Sequence, residues 1–207
     1  MAVTLANIRT RVLARLNRKD LTQSQLDEFI MNSIRRIQRS LRTPMSEGQA
    51  TATIVLGSSG RIDVPSDLLN LIWISVNGRE LTERSFSEIN RYNHTFPQGV
   101  GRTEYYCRVG GQYIIAPRPG AGTAVDIYYY RDLAPLVNDT DTNALIDVAP
   151  DLVTYGALID AADWSIDPDR MSIWNEAFTT LFAEIQDMAE RDVLANASIG
   201  ACIPLIY

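Results

Sequence analysis

The chain has 207 residues, 46% of them hydrophobic and 21% charged. That is the make-up of one globular domain, or of one domain carrying a sizeable insertion, and it excludes a wholly disordered or collagenous chain. The formal net charge of −6 is unevenly spread: residues 1–50 hold 9 basic and 4 acidic residues, 51–146 hold 8 and 10, and 147–207 hold 2 and 11.

The first segment is helical. Leu5, Ile8, Val12 and Leu16 recur at helical spacing, while Arg9, Arg11, Arg15 and Arg18 occupy other positions. A second helix starts at Thr22, where Gln25 three residues later forms a capping box. It carries the stripe Leu26, Ile30, Ile34, Ile37 and Leu41, and Pro44 stops it after Arg42. Its length is about 30 Å.

The period then changes. Residues 49–56 alternate polar and apolar as a half-buried strand does; Gly57 to Gly60 is a turn, and Arg61 to Val64 a short return strand. Leu71 to Val76 is another strand, ended by Asn77-Gly78, the strongest hairpin signal in the chain. Ser85 and Glu88 cap a short helix to about Tyr92, and a loop follows through Pro97, Gly99 and Gly101. Thr103 to Val109 and Gln112 to Ala116 form a second hairpin around Gly110-Gly111, and Thr123 to Arg131 is the last strand. Pro150-Asp151 opens a helix with Leu152, Tyr155, Leu158, Ile159 and Ala162 along one side. Asp167-Pro168-Asp169 starts another, with cap, proline and negative charge all at its N-terminus. Its stripe is Met171, Trp174, Phe178, Leu181, Ile185 and Met188, and its expected end is near Ala195. Residues 196–207 carry no ionisable side chain beyond Cys202 and Tyr207.

The expected fold is therefore α+β. Helices of 1–48 and 147–195 form one bundle, 49–146 is an inserted antiparallel β-rich subdomain with a short helix, and 196–207 is an extended tail. The bundle brings the basic and acidic ends together, so part of the charge asymmetry cancels internally.

Function classes fall away on the same grounds. No apolar run approaches the ~18 residues of a membrane span. Arg9 and Arg11 stand where a signal peptide needs its apolar stretch, so export by that route is not expected, a reduced intracellular compartment is, and the sequons at Asn93, Asn138 and Asn196 carry little weight. Cys107 and Cys202 are too few for a disulfide scaffold or a zinc site. His94, the single histidine, reads as a loop residue without a catalytic partner, and Cys107 as a buried strand thiol. Asp139-Thr140-Asp141-Thr142-Asn143 imitates the start of a calcium loop, but Ala144 stands where glycine is needed and Pro150 where the bidentate glutamate belongs; a structural turn is the better reading. No glycine cluster has phosphate-loop or dinucleotide spacing. No catalytic, cofactor or metal residue is assigned, and the chain is not read as an enzyme. Arg35, Arg36, Arg39 and Arg42 cluster near the end of the second helix and are candidates for a subunit interface; a DNA-associated role for these basic helices is a distant alternative. Ile199, Ile203, Pro204, Leu205, Ile206 and Tyr207 are candidates for partner binding, in a groove or at a sheet edge, against the alternative that they fold back on the bundle.

The ordered series Arg35-Arg36-Ile37, Ile62-Asp63-Val64-Pro65-Ser66-Asp67-Leu68-Leu69, Val76-Asn77-Gly78-Arg79-Glu80-Leu81, Tyr128-Tyr129-Tyr130, Asp141-Thr142-Asn143-Ala144-Leu145 and Pro150-Asp151-Leu152-Val153-Thr154-Tyr155-Gly156-Ala157-Leu158 resembles the head-to-tail adaptor (connector) proteins of tailed bacteriophages. The last stretch is the most specific. The resemblance implies a structural virion protein of the neck, made in the bacterial host cytoplasm. It implies a ring of twelve copies beneath the portal that extends the DNA channel and offers the tail its attachment surface. Implied partners are further copies of the chain, the portal, tail or nozzle proteins, and DNA that passes without sequence-specific binding. The C-terminal segment would reach the portal. Another neck role, head completion or tail-tube attachment, is the nearest alternative.

Overall fold

Thr4 and Asn7 begin the first helix, α1 (Leu5–Leu16): the Asn7 amide oxygen accepts the Thr4 N–H at 3.0 Å. Leu5, Ile8, Val12 and Leu16 are buried, as their spacing predicts. Thr22 and Gln25 form the expected capping box of α2 (Gln23–Ser40), whose Leu26, Phe29, Ile30, Ile34 and Ile37 face the same core. The computed structural model describes residues 2–18, 20–41, 46–55, 57 and 60–200, with 192–200 as backbone alone.

The chain is α+β. It separates into two units, Met1–Ser46 with Leu133–Tyr207, and Glu47–Asp132. Among its described residues the second holds two four-stranded sheets and one helix. Strands β1 (Glu47–Thr53), β2 (Arg61–Asp63), β3 (Leu68–Val76), β4 (Arg79–Glu80) and β5 (Thr82–Glu83) precede α3 (Phe86–Thr95); β6 (Tyr105–Val109), β7 (Gln112–Ala116) and β8 (Ala124–Arg131) follow it. One sheet has the order β1-β8-β3-β4, the other β2-β7-β6-β5; among the described residues β5 and β6 pair in parallel and the remaining pairs are antiparallel. Their inner faces share a core: Ile74, Val125, Ile127 and Tyr129 from the first sheet, Ile62, Tyr113 and Ile115 from the second. The helix α3 covers the other face of the second sheet through Ile89, against Cys107, Ile114 and Ala116. Asn77 (φ 51°) and Gly78 (φ 72°) make the predicted tight turn between β3 and β4.

One expected pairing is corrected. The return strand Arg61–Asp63 does not pair with β1. It joins β7 in the opposite sheet, while β1 pairs with β8. The crossing is made at Gly60, whose carbonyl accepts the Ile115 N–H at 2.9 Å. A Cβ there would lie 2.9 Å from the Ile115 carbonyl oxygen, and φ is +71°, so only glycine fits.

Beyond Asp132 the chain forms α4 (Ala144–Val148), a short helix not expected from periodicity, then α5 (Pro150–Trp164) and α6 (Pro168–Gly200). The predicted single stripe on α5 is corrected: Leu152, Val153, Ala157, Leu158, Ala161 and Ala162 are all buried, so the helix is enclosed on nearly every side. Small residues make this possible. A Cβ on Gly156 would stand 2.1 Å from Ser33 Oγ, which itself donates to the Val153 carbonyl at 3.0 Å. On α6, Trp174, Phe178, Leu181, Phe182 and Ile185 pack on the core, but Met171 and Met188 are exposed. The helix also continues past the expected end at Ala195 to Gly200, since no proline interrupts it before Pro204. The extended tail expected from residue 196 therefore starts as helix, and residues 201–207 lie outside the described residues.

Candidate functional site

Much of the basic N-terminal charge is consumed inside its own unit. Arg9 is almost buried, at 8% exposure; its Nε and second terminal nitrogen donate to the two carboxylate oxygens of Asp27 at 2.6 and 2.8 Å, and it also binds Asp139. The bonds to Asp27, above all, hold the guanidinium pKa above its ordinary value against the opposing effect of burial. Arg11 pairs with Asp151 at 3.2 Å, and Arg36 with Asp160. Arg15 lies 4.5 Å from the centre of the Tyr155 ring and Arg18 5.7 Å from that of Trp164. The ends with opposite net charge are therefore joined by Arg11–Asp151 and Arg36–Asp160.

The calcium-like run has a structural role. Asp141 accepts the Asn138 and Val137 amides on one carboxylate oxygen, both at 2.8 Å, and these bonds, that of Asn138 first, hold its pKa below the ordinary 3.8. The turn so formed presents two carbonyls to α1: Asp141 accepts from Leu5 at 2.9 Å and Asp139 from Ala6 at 3.1 Å. These are amides that a helix start leaves without internal partners. Asn143 caps α4 through the Ile146 amide at 3.0 Å. Among the described residues, no group of three or more His, Cys, Asp or Glu is arranged to hold a metal ion.

The remaining chemistry-bearing residues stay apart. His94 lies in the last turn of α3, not in a loop, and is exposed; the helix runs three residues past its expected end at Tyr92. Cys107 is buried in β6, where burial pushes its thiol pKa up and away from reactivity. A cleft of about 430 Å³ in the strand-rich unit gathers Asn77, Arg79, Arg102, Thr103 and Thr123 among glycines, with no nucleophile–base pair.

The interface candidates divide. Arg35 and Arg39 are exposed, and Arg39 Nε donates to the Arg35 carbonyl at 3.3 Å; Arg36 is held by Asp160; Arg42 lies outside the described residues. Ile199 falls on the helical backbone of α6, while Ile203, Pro204, Leu205, Ile206 and Tyr207 lie outside the described residues.

Several exposed apolar residues escaped sequence reasoning, two of them at or after the α5–α6 corner. Ile166, in the corner between α5 and α6, is 89% exposed, and Ile173 on α6 is 65% exposed. The corner closes with the Asp167 N–H on the Ala162 carbonyl and the Ile166 N–H on that of Asp163, at 3.0 and 3.1 Å. Such a helix ending normally places glycine at the left-handed position; here Ile166 holds it at φ 54°. The legible sign was a helix-to-helix turn, Ser165-Ile166-Asp167-Pro168, with no glycine or asparagine in it.

Surfaces of this kind, without a catalytic constellation among the described residues, fit association. A family model described as SU10 adaptor protein matches residues 3–199, nearly the whole chain. No curated protein matches the sequence. The ordered motifs, the α+β fold and that match agree: the chain belongs to the SU10 adaptor protein family, a family of phage head-to-tail adaptors.

Proposed function

We propose that the protein is a structural component of the virion neck, forming a ring beneath the portal that extends the DNA channel and offers a surface on which the tail assembles. The observation that carries this reading is the family match across residues 3–199. It is supported by a bundle in which Arg9, Arg11 and Arg36 are paired with carboxylates of the same unit, which takes part of the basic N-terminal charge away from DNA. With the family's twelve copies, the net charge of −6 per chain multiplies to a strongly anionic ring, and phosphates passing through it are repelled rather than bound. The long helix α6 leads to the uncharged segment that includes Ile199, Ile203, Pro204, Leu205, Ile206 and Tyr207; in this reading that segment contacts the portal, and tail or nozzle proteins occupy the opposite side.

Electron microscopy of the purified protein mixed with portal rings tests the proposal. A second ring stacked on the portal is the expected result, and portal particles without added density would refute it. Deletion of residues 196–207 should leave the melting curve unchanged and abolish attachment; unaltered co-sedimentation of the truncated chain with the portal would reassign the segment.

A further inference from the structure

The α5–α6 corner holds a combination that folding alone does not favour. A β-branched residue in left-handed backbone is strained, and Ile166 adopts it while exposing nearly all of its side chain. Glycine at that position would relieve the strain and remove the apolar surface. On α6, which starts two residues later, the exposed Asp169, Ile173 and Glu176 follow at intervals of about one turn. At 100° per residue these three fall within about 60° of one another, on the side opposite the core-packed Trp174, Phe178 and Ile185. The strip is apolar with an acidic rim, so its partner must bring apolar contact and positive charge together. Arginine does both, through its methylene stem and its guanidinium.

The same unit carries that complement elsewhere. Arg35 and Arg39 stand one turn apart on α2, about 180° from the buried Leu26, Ile30 and Ile37, and neither makes an ion pair with a described residue. The helices α2 and α6 both pack on the enclosed helix α5, so the two strips belong to different flanks of one bundle. Unlike patches on different flanks make a head-to-tail contact, the kind that closes a ring.

We infer that the outward strip of Ile166, Asp169, Ile173 and Glu176 on one copy docks on Arg35 and Arg39 of the next, forming the joint between neighbouring subunits. The inference deepens the ring reading above and rests on it for the geometry of closure. Ile166 is the apolar contact at the corner, and the acidic residues select the arginines and set the register.

The test follows self-association of the full chain by analytical ultracentrifugation, alone and with portal rings. Ile166→Gly should raise the melting temperature and yet raise the concentration needed for half-assembly by about tenfold or more; no merely structural role moves the two in these directions. The double reversal Arg35→Glu with Arg39→Glu should abolish assembly while the fold persists. Adding Asp169→Arg and Glu176→Arg to the same chain should restore it. Wild-type assembly by the Ile166→Gly variant, failure of the fourfold variant to recover, or a wild-type chain monomeric in both settings would each overturn the joint. A chain that closes rings alone but never stacks on the portal would instead refute the adaptor position and leave the joint standing.

Discussion

Gly156 offers the sharpest test of the bundle, because two effects of known size oppose each other there. Gly156→Ala in an exposed helix stabilises by about 1 kcal/mol, since alanine loses less backbone freedom than glycine. On α5 the added Cβ would stand 2.1 Å from Ser33 Oγ, 3.0 Å from Ser33 Cβ and 3.2 Å from Phe178 Cε2. Rotating Ser33 away breaks its bond to the Val153 carbonyl in a site without solvent, a loss of about 1 kcal/mol. The remaining contacts require α2 or Phe178 to move, and such overpacking costs about 1–3 kcal/mol. The net expectation is destabilisation by about 2 kcal/mol, a fall in Tm of about 4–8 °C for a chain of this size. Differential scanning fluorimetry and urea titration measure it. Ser33→Ala in the same chain removes the 2.1 Å contact and should recover part of the loss; Ser33→Gly also removes the 3.0 Å contact but weakens the interior of α2 by about 1 kcal/mol, so it should recover no more. A Gly156→Ala variant that melts at or above the wild-type temperature would show that the close approach of α2 and α5 does not govern stability.

Three further outcomes are expected. Arg9→Met should cost about 2 kcal/mol in urea unfolding, because it leaves the partly buried Asp27 without its bidentate partner and removes the tie to the α1-capping turn. Asp141 has a lowered folded-state pKa, so its contribution is present above the ordinary 3.8 and disappears as pH falls through the lower folded value; between pH 6 and pH 3 the wild type should lose more stability than Asp141→Asn, and parallel losses would refute the assignment. Tyr129→Phe removes a 2.9 Å bond to Asp67 from an otherwise buried side chain and should lower stability by about 1 kcal/mol, seen as a shifted urea midpoint at unchanged slope.

What was readable in the sequence depended on how local its cause was. The capping box of Thr22 and Gln25, the Asn77-Gly78 turn and the Asp167-Pro168 restart are decided within four residues, and each lies where the sequence puts it. The partner of β2 was not readable, because Gly57 to Gly60 is compatible with a return to β1; the choice of β7 is made by Gly60 meeting Ile115, distant in sequence. The enclosure of α5 was only half legible. A stripe of large residues was evident, while Gly156, Ala157, Ala161 and Ala162 between them gave the other sign of a central helix, smallness where neighbours press close. The stretch that carries the family resemblance most specifically, Pro150 to Leu158, is thus a packing device. For the surface, the cluster of arginines was visible but not its division: Arg36 faces Asp160 while Arg35 and Arg39 face outward, which follows from the phase of α2 about its core. Ile166 was invisible for a different reason, since hydrophobic periodicity counts a lone isoleucine between two helices as neither stripe nor loop.

The strand-rich unit begins and ends side by side. Its first residue, Glu47, lies opposite Tyr130 in the β1–β8 pair, two residues before the unit's last. Entry and exit are therefore about one strand spacing apart, near 5 Å, a gap that a hairpin turn of a few residues would bridge. Such an arrangement makes everything between the two strands a separable insertion: a short turn in its place would rejoin the chain without interrupting the helices on either side of it in sequence.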